Sequence, residues 1–296
     1  MKSTRVIRIL PALFVILGVL FLIFWIVKKS DTSVGKTSSK VQIVASTNVW
    51  GDIASQIGDQ HVEVTSILND PQTDPHLFES DAATASRVAS ADLVIINGLG
   101  YDEFMDKLLG TTSKDQNSID ISQVLKADKD ANPHLWYDLP RIPEVAITIQ
   151  NELIKIDPDH AADYRQNTQE FVGSITQLNR QLTKQQGGVA YTERVAGYML
   201  EALGVENLTP QGFAQSVESG TEPTPQQVQE FETVLQSGRV KVLIYNTQSV
   251  NDMTEQLKRT AEASRVAVVG VTETVPKGKN FQTWQAEQLR AILEAL

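Results

Sequence analysis

The chain reads as an α/β protein of two Rossmann-like lobes, each built on a parallel sheet and joined by one long helix. Three observations predict this. Short apolar segments alternate with helical patterns in both halves of the sequence, as they do in βαβ units. Runs such as Leu93-Val94-Ile95-Ile96 are apolar at every position, the pattern of a strand covered on both faces. Between the halves, residues 160–185 carry apolar or small side chains at 164, 168, 171, 175, 178 and 182. Those steps of four and three make one stripe on one face of a helix.

In the first lobe, 41–158, the strand candidates are Val41–Ala45, Val62–Ile67 and Leu93–Asn97. Helical patterns lie between them, among them Asp81 to Ser90, where an acidic residue stands at the helix N-terminus. A further helical pattern runs from Pro143 to Ile156 and is interrupted by Asp157-Pro158-Asp159. The linker helix is assigned to 159–186; about 26 residues at a 1.5 Å rise give about 39 Å, enough to run the length of a two-lobed protein. Gly187-Gly188 ends it. The second lobe, 187–296, repeats the alternation, with strand candidates Val189–Thr192, Val240–Tyr245 and Val266–Val271 and helices near 194–203, 225–237, 251–264 and 282–295. Pro225 opens one of these helices, a position where proline's missing N–H costs nothing.

The N-terminus predicts a location. Lys2, Arg5 and Arg8 precede an uncharged run from Ile9 to Val27 that ends at Lys28-Lys29. At about 1.5 Å per residue this run nearly spans the ~30 Å hydrocarbon core. It is longer than a signal-peptide apolar region, and it lacks an Ala-x-Ala cleavage site and a lipobox cysteine. Residues 1–29 therefore read as an uncleaved signal-anchor, with the basic N-terminus inside and the soluble part on the extracellular face of the cell membrane. Residues 30–40, small, polar and aperiodic, read as a flexible tether.

The first 39 residues hold six Lys/Arg and one Asp, a net of +5, which leaves −15 of the overall −10 to residues 40–296. So acidic a domain excludes a nucleic-acid partner and draws cations. Cysteine is absent, which excludes disulfides, thiolate metal sites and a cysteine nucleophile.

Two of the four histidines occupy near-copies of one cassette: Asp74-Pro75-His76-Leu77-Phe78 and Asn132-Pro133-His134-Leu135-Trp136. The proline restricts the backbone ahead of each imidazole, and the Leu-aromatic pair gives each loop something to bury. Two prearranged histidines without cysteine point to a metal site of nitrogen and oxygen donors. Ligands in open α/β sheets bind beyond the carboxyl ends of strands. His76 and His134 lie in such loops, and Glu193 and Glu273 directly follow strand candidates of the second lobe, so all four can face one cleft between the lobes. Two imidazoles and two carboxylates suit Zn²⁺, Mn²⁺ or Fe²⁺.

The cassettes, Thr192-Glu193 followed by Gly197-Tyr198 and Ala202-Leu203-Gly204, and the closing Val271-Thr272-Glu273-Thr274-Val275-Pro276 with Trp284 together resemble the zinc/manganese (cluster A-I, cluster 9) substrate-binding proteins of ABC transporters. The resemblance covers about residues 41–296. It implies two α/β lobes bridged by a rigid backbone helix, one Zn²⁺ or Mn²⁺ buried between them as cargo, and a membrane permease as partner of a monomeric receptor. It assigns His76 and His134 as first-lobe ligands, Glu193 at a position that is His in many zinc receptors and Glu in many manganese ones, and Glu273 where Asp is commoner. This chain departs from the pattern in lacking a lipidated cysteine, a His/acid-rich loop between the second and third ligands, and that Asp. A secondary adhesin role belongs to some relatives.

Glu79 and Asp138 are candidates to accept the histidines' second N–H. Phe78, Trp136 and Trp284 read as packing residues, and His61 and His160 as surface residues. A zinc hydrolase, with Glu193 or Glu273 as general base, is the alternative function, against which stands the absence of a His-Glu-x-x-His helix.

Overall fold

Each half of the chain folds around one four-stranded, all-parallel sheet. The computed structural model describes residues 40–70, 78, 80–110 and 117–296. The proposed anchor and most of the tether, with His76 and Glu79, lie outside them. Among the described residues no helix is long and apolar enough to cross a membrane.

In the first lobe, β1 (Val41–Thr47), β2 (Val62–Leu68), β3 (Leu93–Ile96) and β4 (Ser118–Asp120) are ordered β2-β1-β3-β4. The register sets Ile43 against both Val64 and Leu93. Helices α1 (Asn48–Gly58), α2 (Ala82–Ser90) and α3 (Glu103–Leu109) connect them, and the short α4 (Ile121–Val124) follows β4. The central strands are the apolar ones: β3 is buried at all four positions, and β1 at all but Gln42. Asp81 caps α2, its side chain accepting the Thr84 N–H at 2.8 Å, which satisfies a donor the helix leaves open.

The second lobe repeats the plan. β5 (Gly188–Tyr191), β6 (Glu206–Asn207), β7 (Val240–Asn246) and β8 (Ala267–Val271) are ordered β6-β5-β7-β8. Between the two sheets run α5 (Ile142–Ile156) and α6 (Ala161–Asn179); the second lobe adds α7 (Gly197–Leu203), α8 (Gln211–Glu218), α9 (Pro225–Gln236), α10 (Asp252–Ala263) and α11 (Phe281–Ala295). Pro225 is the first residue of α9, behind a Thr224/Gln227 capping box. In both sheets the order reverses beside the first strand, so the switch points fall at the carboxyl ends of β1 and β3 in one lobe and of β5 and β7 in the other.

The linker helix is shorter than its periodicity suggests. α6 ends at Asn179 after 19 residues, about 28 Å. Tyr164, Thr168, Phe171, Ile175 and Leu178 form the buried stripe as expected. Leu182 continues the spacing but stands in a turn, its N–H bonded to Asn179 O, and Gln185 then bonds Leu203 O on the way into β5. An apolar residue at the right interval in a turn cannot be told from one in a helix by spacing alone.

His61 and His160 are half-buried rather than freely exposed. They stack, ring centroids 3.8 Å apart at 23°, with Asp163 2.9 Å from His61 Nε2 and Asp157 2.6 Å from His160 Nδ1. The turn Asp59–His61 after α1 meets the turn Pro158–His160 before α6, so two rings far apart in sequence cover each other.

One apolar cluster runs through both lobes. It holds Trp50, Ile95 and Trp136 of the first half, Phe171 and Ile175 of α6, and Val242, Ile244, Phe281 and Trp284 of the second half. Residues 40–296 accordingly form one compact unit.

Candidate metal site

Three of the residues beyond the carboxyl ends of strands meet. Glu193 lies two residues past β5, Glu273 two past β8, and His134 in the loop beyond β4 and α4. His134 Nε2 is 3.5 Å from Glu193 Oε1 and 3.4 Å from Glu273 Oε2. One donor atom from each of the three residues lies within 4.8 Å of the others. Two donors held about 2.1 Å from a common ion at tetrahedral angles are about 3.4 Å apart, so the histidine-to-glutamate spacings fit a shared metal. The fourth sequence-derived ligand, His76, lies outside the described residues.

The tautomer of His134 follows from its neighbours. Nδ1 lies 2.7 Å from Asn132 Oδ1, while Asn132 Nδ2 donates to Arg194 O at 2.8 Å. The amide oxygen therefore accepts, Nδ1 carries the hydrogen, and the lone pair of a neutral ring is at Nε2. That nitrogen is buried and has no hydrogen-bond partner. Such a polar atom, facing two carboxylate oxygens, is what a cation would satisfy. Burial pulls the His134 pKa down, but the carboxylates of Glu193 and Glu273 outweigh it and raise it to about 9. Without metal, a proton stands in for the cation.

Asn132, not Asp138, is the hydrogen-bond partner of His134. Asp138 instead pairs with Arg141 at 3.9 Å, and burial holds its carboxyl above the ordinary value. The signal for Asn132 lay inside the cassette, where an Asx side chain two residues before the imidazole reaches its backbone and ring.

The first lobe approaches through a tight turn. Gly98, Leu99 and Gly100 all have positive φ, at 80°, 55° and 75°. A Cβ on Gly98 would stand 2.5 Å from Asp120 Oδ1 and Ser122 Oγ. The turn delivers Tyr101, whose hydroxyl donates to Glu273 Oε2 at 3.0 Å across the lobes. Burial, with the Glu273 charge behind it, holds the Tyr101 pKa well above 10, so this phenol stays a donor. Asn97 Nδ2 donates 2.9 Å to Pro133 O and ties the β3 turn to the His134 loop. Gly197 makes the matching approach from the other lobe: a Cβ there would stand 2.8 Å from Asn132 Nδ2.

Sequence reasoning missed three further residues. Asn246, at the end of β7, donates to both glutamates at 2.6 and 2.8 Å. Gln248 accepts the backbone N–H of Glu273 at 2.6 Å and that of Thr274 at 3.1 Å. Tyr101 is the third. All stand at or beyond strand ends, the rule that found the glutamates, but as neutral residues they carry no metal signature.

Access is graded. A cleft of about 1160 Å³, lined in part by Asn132, Pro133, His134, Thr192 and Glu193, leads to the site. The Glu193 side chain is 13% exposed, that of His134 4% and that of Glu273 0%. Trp136 packs edge-on behind His134 at 5.4 Å, and Trp284 is fully buried against Tyr137, both as packing residues.

The comparisons with known proteins agree with this architecture. The manganese-binding lipoprotein MntA of Bacillus subtilis (strain 168) is 27% identical over 187 residues, covering 60% of this chain and 61% of that protein. The chain thus spans about three fifths of the length of its MntA relatives. The manganese ABC transporter substrate-binding lipoprotein PsaA of Streptococcus pneumoniae is 23% identical over 293 residues, covering 90% and 92%. Among solved structures, the periplasmic zinc binding protein TroA from Treponema pallidum superposes with a TM-score of 0.74 at 17% identity, over 87% of this chain and 99% of that one, a likeness of fold. The profile of the family described as ZnuA, zinc-uptake complex component A, periplasmic, matches residues 43–295, and the chain belongs to that family.

Proposed function

We propose that this protein is an extracytoplasmic receptor that takes up one divalent transition metal, Zn²⁺ or Mn²⁺, at His134, Glu193 and Glu273 with His76 as the fourth ligand, and delivers it to an ABC permease. One observation carries the reading: a buried imidazole nitrogen without a hydrogen-bond partner faces two carboxylate oxygens at the spacing of ligands to one ion. The names of the relatives support the chemistry, since they are described as binding manganese or zinc and as parts of metal ABC transporters. A family described as an uptake-complex component does not favour the zinc-hydrolase reading. An adhesin role has no support beyond resemblance.

The ion enters from the cleft, meets Glu193 first, and displaces the proton on His134 as it settles against Glu273. The N-terminal run 9–27 anchors the receptor in the cell membrane with its soluble part on the extracellular face, and the MntA and PsaA relatives are named as lipoproteins. Domain limits follow the same reading: anchor 1–29, tether 30–40, first lobe 41–158, linker 159–186 and second lobe 187–296.

The test is metal content. Protein stripped with chelator and reloaded should hold one ion per chain, measured by elemental analysis, and folded His76→Ala and His134→Ala proteins should each bind zinc at least about tenfold more weakly. Wild-type affinity in both would remove the site.

A further inference from the structure

Between the two glutamates sits a single amide. Asn246, the last residue of β7, is fully buried. Its Nδ2 donates to Glu193 Oε2 at 2.6 Å and to Glu273 Oε1 at 2.8 Å. These are the far oxygens of the two carboxylates, because the oxygens facing His134 are Glu193 Oε1 and Glu273 Oε2. A primary amide has two N–H bonds, and here each goes to a different glutamate.

The amide is itself held from both sides. Its backbone N–H donates to Thr192 Oγ1 at 3.1 Å, next to Glu193, and its Oδ1 accepts the Gln248 N–H at 3.0 Å. Gln248 in turn holds the backbone of Glu273. The orientation of Asn246 is therefore set by the same loops that carry the two carboxylates.

A carboxylate binds a metal through one oxygen or through both. Binding through both would require each glutamate to turn its far oxygen toward the ion. That turn breaks a short, buried N–H bond to a charged acceptor, one of the stronger classes of hydrogen bond. Four-coordinate tetrahedral sites are the habit of zinc, whereas oxygen-rich octahedral sites suit manganese.

Resting on the metal-receptor reading above, we propose that Asn246 is a specificity-determining residue: by bracketing one oxygen of each glutamate it limits the pair to one metal oxygen apiece and biases the site toward a four-coordinate, zinc-type ion. It does so without adding charge. A carboxylate in its place would repel both glutamates, and an alkyl side chain would remove the hydrogen bond to the far oxygen of each.

The experiment compares wild-type protein with Asn246→Ala and Asn246→Ser, all stripped of metal. Zinc and manganese dissociation constants are measured by chelator competition, and zinc coordination by X-ray absorption. Wild-type zinc should be four-coordinate, and in either folded variant the preference for zinc over manganese should fall about tenfold or more, the usual scale for a residue that orients ligands. A folded variant with an unchanged preference overturns the proposal. So does a wild-type zinc spectrum showing carboxylates bound through both oxygens, a result that needs no variant to fold. A His134→Ala control separates the two levels: undiminished zinc binding there sinks the receptor reading, whereas lost binding with an unaltered preference in the Asn246 variants sinks only this inference.

Discussion

Asp52, one turn into α1 of the first lobe, accepts the backbone N–H of Phe281, the first residue of the last helix, at 2.8 Å. It is the middle of three such links at four-residue spacing on one face of α1. Asn48 exchanges two hydrogen bonds with the Val275 backbone, at 2.8 and 2.9 Å. Gln56 and Gln282 exchange two more between their amides, at 2.9 and 2.7 Å. A helix of one lobe thereby serves as cap and partner for the other, over the core they share. The expected behaviour is two lobes that move little against each other, with metal uptake carried by the loops at the site.

Asp52→Ala should destabilise the protein by about 1–3 kcal/mol, because it leaves a buried helix-terminal N–H unmet. Burial raises the Asp52 pKa, opposed by the Phe281 N–H and Gln56. A carboxyl raised on folding contributes stability at low pH that is lost as pH climbs past its unfolded value. Asp52→Asn should therefore abolish that decline, so that stability falls less, or rises more, between pH 4 and 7 than in wild type. Denaturant melts of metal-free protein between pH 4 and 7 check both points, and an Asp52→Ala protein as stable as wild type would dispose of the capping role.

Metal-free His134→Ala should be markedly less stable than metal-free wild type. The substitution leaves Glu273, fully buried, beside Glu193 with no cation between them. Removing one partner of a buried ion pair costs about 3–5 kcal/mol. Adding Glu193→Gln should restore part of the loss, since one of the opposed charges goes. Calorimetry of the single and double variants measures the coupling, and strict additivity would contradict it.

The pH response should differ in sign with and without metal. A histidine raised to about 9 in the folded state stabilises the metal-free fold fully below its unfolded value of about 6.5, and that contribution is lost as pH rises through about 9. Metal binding must expel the same proton, so each ion taken up near pH 7.5 should release close to one proton, and affinity should rise with pH toward 9. Below about pH 5 the ion should be lost as the ligands protonate. Titration calorimetry in buffers of different ionisation enthalpy counts the protons; a count near zero would show that His134 is not a ligand.

Gly98→Ala should lower both melting temperature and zinc affinity, since its Cβ would press on Asp120 and Ser122 and shift the turn that carries Tyr101. Gly238→Ala is the control. Its φ is also positive, at 74°, but nothing lies within 4 Å of a Cβ there, so only the left-handed backbone cost of about 1–2 kcal/mol applies. Equal effects on zinc affinity at the two positions would mean the turn does not position the site.

What the sequence disclosed was set by burial and by charge. The central strands were legible because every position in β3 is apolar, and Glu193 and Glu273 because they stand just past strand ends. β4 and β6 were not, being three and two residues long, too short to show a period. Nor was the end of α6 at Asn179, since Leu182 keeps the spacing in a turn. Asn132 and Asn246 escaped notice because they are neutral amides, whose meaning depends on which atoms they face. The stacking of His61 on His160 depends on two turns meeting about a hundred residues apart in the chain, a relation no local pattern encodes.

The shared core also bears on how the molecule comes apart. Phe281 and Trp284 sit within a cluster that includes Trp50 and Trp136, so neither lobe can expose its interior without opening that of the other. Heat or denaturant should therefore take both lobes through one cooperative transition, seen alike by every probe, rather than through two.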